Sequence, residues 1–236
     1  MAPGNGGREA CTGEYVAFLD ADDRLLSNAL TAGVRAFAAG PDRALVWGAR
    51  SIIDSVGHQV RCVPKGVERA ASYAELLETN IIGPPVGVLF RRTVVAELGG
   101  FSSQARYAED YDLYLRIARG HAIYHHAELV AEYRLHSANM SGNVRQMHKH
   151  LRRILERQRS AIAGDARLGS ALRRGLEDAS DRYQWEPRVD EFRDHRYAGR
   201  WLRATLAGAG LLVRYPRRFP ALLARRVMRS LSPNDG

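Results

Sequence analysis

Short apolar blocks separated by polar turns run through the first 143 residues, and their periods predict alternating strands and helices. Residues 14–19, Glu-Tyr-Val-Ala-Phe-Leu, are rich in strand formers and stop abruptly at Asp20-Ala-Asp-Asp23. That is the pattern of a buried parallel strand whose carboxyl end presents acids. Ser27 precedes a helical stretch over 28–37, stopped by Gly40-Pro41. Residues 44–54 read as another strand. Ser72-Tyr-Ala-Glu75 has capping-box spacing and opens a helix through about Glu78. A strand over 86–90 and a helix over 91–98 follow, the helix closed by Gly99-Gly100. Residues 109–119 carry Tyr111, Leu113, Tyr114, Leu115 and Ile117, consistent with a partly buried helix. Residues 122–126 and 129–135 read as two more strands. The alternation predicts an α/β domain with a mostly parallel sheet over residues 1–143.

After Asn143 the strand pattern ceases. Residues 144–163, 165–183 and 197–213 read as helices, and Pro216 and Pro220 punctuate a last basic amphipathic stretch. Residues 144–236 are therefore expected to form a basic helical C-terminal region.

Composition narrows the class. At 236 residues, 45% apolar and 26% charged, the chain suits a soluble domain with an appendage. Two cysteines, Cys11 and Cys62, exclude a disulfide framework and fit a reducing cytosol. The N-terminus lacks the basic and apolar regions of a signal peptide. The longest apolar run, 204–213, falls short of the roughly 20 residues that span a bilayer. A cytoplasmic protein is expected.

The net charge of +9 is unevenly placed. Residues 1–143 hold 14 Lys and Arg against 16 Asp and Glu, whereas residues 144–236 hold 21 against 10. The second segment should attract an anionic surface, unless its arginines record only a genomic bias. Over residues 197–231, Trp201, Leu202, Leu206, Leu211, Leu212, Phe219, Leu222, Leu223 and Val227 alternate with arginines. That division suits either a helix lying on an anionic membrane or helices packed on the domain with a solvated basic face. A nucleic-acid partner is not expected, because no recognisable RNA or DNA motif occurs and few aromatics interleave with the arginines.

Three clusters can carry chemistry. Asp20, Asp22 and Asp23 at a strand end can hold Mg²⁺ or Mn²⁺, which favour carboxylate oxygens. They equally fit an acidic turn that caps a loop. Glu109-Asp110 opens a helix, where acids oppose the macrodipole; either could also serve as a general base. His136 follows the last strand, as a structural residue or as a neutral imidazole completing a metal site. His125 and His126 read as strand residues, and His148 and His150 as exposed helix positions.

The order of these pieces adds a further constraint. The stretch from Asn5 through Ala10-Cys-Thr-Gly-Glu-Tyr15 into Asp20-Ala-Asp22-Asp23 resembles the middle of family 2 glycosyltransferases. Matches follow in order at Gly83, Val88-Leu-Phe-Arg91, Gly99-Gly-Phe101, Ala108-Glu-Asp110 with Leu115-Arg116, and Tyr133-Arg-Leu-His136-Ser-Ala-Asn139-Met-Ser141. The resemblance covers about residues 4–143.

The resemblance implies the GT-A fold, a Rossmann-like sheet, here lacking its first strands. It implies that Asp20 and Asp22 contact the donor's ribose-diphosphate and metal, with Asp23 sharing the role. Asp110 would be the general base, Glu109 its neighbour at the acceptor site, His136 a further metal ligand, and Gly83 part of the loop beside the donor sugar. The activity implied is inverting, metal-dependent transfer from a nucleotide-sugar to a glycan or lipid-linked acceptor, as in cell-envelope polysaccharide synthesis. A lipid-linked acceptor would place the protein peripherally at the inner face of the membrane. The family's usual opening strands, ending in Pro-Thr/Ser-Tyr-Asn and in Asp-Asp-Gly-Ser, have no counterpart here. The base-binding part is thus expected to be missing and the chain to be weakly active. The alternative is a non-catalytic remnant or binding module that retains the acceptor-side surface.

Overall fold

A computed structural model describes residues 11–62, 66–105, 107–135 and 144–216. A seven-stranded mixed sheet forms its centre, flanked by helices on both faces. The strands are β1 (Tyr15–Ala17), β2 (Arg24–Leu25), β3 (Arg43–Ile53), β4 (Gln59–Cys62), β5 (Arg69–Ala71), β6 (Val88–Arg91) and β7 (Ala122–Arg134). Their order is β1-β6-β3-β7-β2, with β4 pairing to β3 and β5 to β7. The helices are α1 (Ala29–Ala38), α2 (Tyr73–Glu78), α3 (Arg92–Glu97), α4 (Glu109–Ala118), α5 (Val144–Arg157), α6 (Ala166–Ser180), α7 (Glu186–Tyr197) and α8 (Trp201–Arg214).

The α/β class is as the sequence predicts, and the pairing refines it. The longest pairing, β3 with β7, is parallel. Strands β1, β2, β4, β5 and β6 join antiparallel. The described sheet is thus parallel at its centre and antiparallel at its flanks. The two strands expected over 122–135 form one, bent where Ala127 takes φ +56° and the register to β3 shifts. An irregularity of that kind bends a strand without ending it.

Side chains alternate between the two faces of the sheet. Leu45, Trp47, Val88, Phe90 and Ile123 enter the main core, together with Leu76 and Leu77 of α2 and the buried side of α4. On the other face, Val46 and Leu89 meet Ala36 and Phe37 of α1. The capping box forms as the spacing predicts: Glu75 N–H donates to Ser72 Oγ at 3.2 Å, and Ser72 N–H donates to the Glu75 carboxylate at 2.8 Å.

The chain divides into compact units after Ala179. Strands do cease at residue 143 among the described residues, yet α5 and α6 belong to the first unit. Their Ile154, Leu155, Ala171 and Leu172 are buried in the main core. A Cβ on Gly175 of α6 would overlap the Leu77 carbonyl oxygen, so glycine is what allows α6 to approach α2. In the second unit, α7 and α8 pack through Val189 and Leu211, with Trp185, Phe192 and Tyr215 around them. Helix α7 was not expected: its apolar residues follow no single face, so periodicity did not separate it from its neighbours. Among the described residues no helix is long and apolar enough to cross a membrane.

Candidate active site

Strand β1 ends at Ala17, and a turn closed by Asp23 N–H donating to the Asp20 carbonyl at 3.2 Å gathers the three aspartates. Carboxylate oxygens of Asp20, Asp22 and Asp23 lie within 4.8 Å of one another. Asp23 is only 7% exposed. Its Oδ1 accepts the Arg134 N–H at 2.8 Å, while its Oδ2 is buried with no hydrogen-bond partner. Burial pushes the Asp23 carboxyl up to about 6, against the Arg134 N–H and helped by repulsion from Asp22 and Asp20. Burial also raises Asp20, as does the neighbouring Asp22. A divalent cation would relieve both the repulsion and the unsatisfied oxygen, and an all-carboxylate set suits Mg²⁺ or Mn²⁺.

Arg134 fixes this turn. Its Nε donates to the Asp22 carbonyl at 2.8 Å, and its Nη1 to the carbonyls of Asp54 at 2.7 Å and Ser55 at 3.1 Å. The end of β7 is thereby tied to both the acidic turn and the loop after β3.

Glu109 and Asp110 open α4, whose body is apolar on nearly every side and buried. Such a helix cannot rotate without exposing its core face. Arg116 anchors it further, bonding Asp112 at 2.8 Å, the Leu98 carbonyl at 2.7 Å and the Gly100 carbonyl at 2.6 Å. This explains the Gly99-Gly100 and Leu115-Arg116 pieces as the support of Asp110. Asp110 Oδ1 accepts the Tyr111 N–H at 2.7 Å. Burial pushes the Asp110 carboxyl up to about 7, opposed by that bond and reinforced by Glu109 and Asp20. Glu109 Oε2 is buried without a partner. The fold therefore brings Asp110 into electrostatic reach of Asp20, although ninety positions separate them in sequence.

Gly83 takes φ +81°, with its N–H donating to Asn80 Oδ1 at 2.9 Å. A Cβ there would overlap Nη2 of Arg50. Arg50 sits in electrostatic contact with Tyr114, Tyr133, Asp110 and Asp23, and burial lowers its pKa from the usual arginine value. A cavity of ≈ 230 Å³ adjoins this region, lined by Trp47, Arg50, Arg69, Ile81, Ile82 and His125 among others. Sequence reasoning gave no role to Arg50 or Arg134. The available signal for Arg50 was a lone charge between Ala44 and Ile53 of an otherwise apolar strand. His136, Asn139 and Ser141 lie outside the described residues. His126 is a buried strand residue, and His150 is half-buried, its ring 5.1 Å from that of Tyr107.

The family and the fold both have counterparts among known proteins. The family model described as glycosyltransferase like family 2 matches residues 2–199. The O-antigen biosynthesis protein RfbC of Myxococcus xanthus is 28% identical over 166 residues, covering 63% of this chain and 12% of that protein. Among solved structures, S. aureus TarS 1–349 in complex with UDP-GlcNAc is similar, with a TM-score of 0.57 and 15% identity. That match covers 92% of this chain and 62% of the TarS chain, and it supports the fold. The chain thus spans a small part of the curated relative and under two thirds of the solved one.

Proposed function

The chain belongs to the glycosyltransferase-like family 2, and from that premise we propose that it transfers a sugar from a nucleotide-sugar donor to an acceptor hydroxyl, with inversion. The observation that carries the reading is the convergence of Asp110 with the Asp20, Asp22 and Asp23 cluster in one site. Asp20 and Asp22 hold the ribose-diphosphate side of the donor. Asp22 and Asp23 hold a divalent metal, with His136 as the further ligand that the family resemblance implies. Such a metal would supply positive charge that offsets the charge gathering on the leaving diphosphate.

Asp110 accepts the proton of the acceptor hydroxyl as its oxygen attacks the anomeric carbon. A carboxyl held up to about 7 is matched to that task, a stronger base than an ordinary carboxylate and about half ionised at neutral pH. Glu109 borders the acceptor and Gly83 the donor sugar. One base and one displacement give inversion, because no second carboxylate forms a covalent intermediate. The UDP-GlcNAc held by TarS and the O-antigen role of RfbC favour a uridine-linked donor and a cell-envelope glycan.

A lipid-linked acceptor is favoured by the exposed face of α8. Trp201, Leu202, Leu206, Leu212 and Val213 fall on one arc of that helix and are exposed, Leu202 at 77% and Val213 at 85%. Its opposite side packs through Ala204, Gly208 and Leu211. Arg200, Arg203 and Arg214 flank the apolar arc, as in helices that lie in an anionic interface. On this reading the protein works peripherally at the inner face of the membrane.

The test is metal-dependent turnover. The protein is incubated with UDP-sugars and Mn²⁺, Mg²⁺ or chelator, and released UDP and product anomer are followed. Metal-stimulated release with an inverted product supports the reading; a product that keeps the donor's anomeric configuration rejects the single-displacement mechanism.

A further inference from the structure

Arg50 is the one charged residue from Ala44 to Ile53, in a strand otherwise filled by core side chains. Arg50 is half-buried, and a guanidinium so placed ordinarily meets a carboxylate, because part of its charge is poorly solvated. Among the described residues Arg50 has none within ion-pair distance and makes no hydrogen bond. No described protein group fills its donors, although Asp110 and Asp23 lie within electrostatic reach.

A second group within its electrostatic reach also lacks a partner. Tyr114 is 0% exposed, yet its hydroxyl has no partner. Buried hydroxyls are nearly always hydrogen-bonded, and exceptions mark places where something else binds. Gly83 forms the third wall, its missing side chain leaving the space that the Arg50 guanidinium takes. Gly83 thus packs on Arg50, and Tyr114, Asp23 and Asp110 lie within electrostatic reach of its guanidinium.

We propose that Arg50 and Tyr114 form an anion-binding pocket against Gly83, which takes anionic oxygens of the substrate. The proposal rests on the transferase reading for its biological meaning. A nucleotide-sugar entering this site brings negative charge toward several carboxylates, and Arg50 is a cation there whose guanidinium, unlike that of Arg134, is not committed to backbone carbonyls. A fixed fork of donors suits phosphate or carboxylate oxygens, and the Tyr114 hydroxyl adds a neutral donor. The anion is either the donor's diphosphate or a carboxylate on the transferred sugar.

Calorimetric titration with four probes decides between these sources: inorganic pyrophosphate, UDP, UDP-glucose and UDP-glucuronic acid, the last three with Mn²⁺. Arg50→Gln should weaken the anion that the pocket takes by about tenfold or more, Arg50→Lys by less, and Tyr114→Phe by about threefold. Equal losses for UDP and both sugars assign the diphosphate. A loss confined to UDP-glucuronic acid assigns the carboxylate. If Arg50→Gln binds all four probes within about twofold of wild type at an unchanged melting temperature, the pocket is refuted. Should Arg50→Gln fail to fold, Arg50→Lys and Tyr114→Phe carry the same test, and wild-type affinity in both refutes it. Arg50-dependent pyrophosphate binding without any UDP binding would sink the transferase reading and leave the pocket standing. Wild-type protein that binds none of the probes overturns the pocket.

Discussion

Arg134 grips the acidic turn from two directions, donating its backbone N–H to Asp23 and its guanidinium to the Asp22 carbonyl, both at 2.8 Å. Bonds of this kind orient metal ligands from behind, without touching the metal. Arg134→Met keeps the backbone bond and removes the guanidinium. Mn²⁺ affinity, read by calorimetry, should fall about 10- to 100-fold, whereas Asp23→Ala should lose binding outright. Unchanged Mn²⁺ affinity in Arg134→Met would show that the turn holds its shape alone.

Asp110→Asn removes the proposed base and no proposed ligand. Transfer should drop by about 10²- to 10⁴-fold while metal-dependent UDP binding stays within a few-fold of wild type. Asp22→Ala should reverse the pattern and lose the metal-dependent binding. Near wild-type turnover by Asp110→Asn would assign the base elsewhere.

The raised carboxyls give a pH signature with a definite sign. The Asp110 carboxyl is pushed up to about 7 in the folded, metal-free protein and returns to the ordinary aspartate value of 3.8 when unfolded. The base is ionised only above its folded pKa, so turnover should fall as pH drops through about 7. Stability moves the other way. Between those two pKa values the folded state holds a proton that the unfolded state has released, so lowering the pH from 8 to 5 favours folding through this group. Asp23, pushed up to about 6, acts in the same sense over a narrower window. His126 opposes them, because burial lowers its pKa and its protonation accompanies unfolding. The clean measurement is therefore the difference between wild type and Asp110→Asn. Melting temperatures of the metal-free pair, followed from pH 8 to 5, should show the wild type gaining relative to the variant.

Gly175→Ala tests whether α6 belongs to the main core. The added methyl meets the Leu77 carbonyl oxygen, a backbone atom with little freedom to move. A loss of about 1–3 kcal/mol in urea unfolding is expected. Gly169→Ala, on the same helix with open space around it, should be neutral or slightly stabilising. Equal effects at the two positions would contradict the close α2–α6 approach.

The exposed arc of α8 should bind anionic vesicles. Each arginine near such a surface contributes on the order of 1 kcal/mol, and the apolar residues add their burial. Co-sedimentation with phosphatidylserine vesicles, weakened by salt and by Trp201→Ser with Leu206→Ser, is the expected result. Indifference to both anionic and neutral vesicles, or self-association that buries Trp201 instead, would remove the membrane role.

The sequence by itself determined much that depends on near neighbours. The capping box at Ser72, the acidic turn after β1 and the acids opening α4 are local patterns, set by hydrogen bonds and periodicity within a few residues. Residue order then carried the family resemblance, and the match over residues 2–199 agrees with it. Only the tertiary structure decided what depends on distant contacts. Periodicity cannot tell parallel from antiparallel partners, so the flanking strands joined β3 and β7 in a direction no single segment encodes. It cannot show that a bulge at Ala127 bends one strand where two were expected, nor that α5 and α6 complete the core of the sheet. Arg50 is the sharpest case. In sequence it is a misplaced charge in an apolar strand, and its meaning comes from Gly83, which packing brings against it, and from Tyr114, which the fold brings within electrostatic reach.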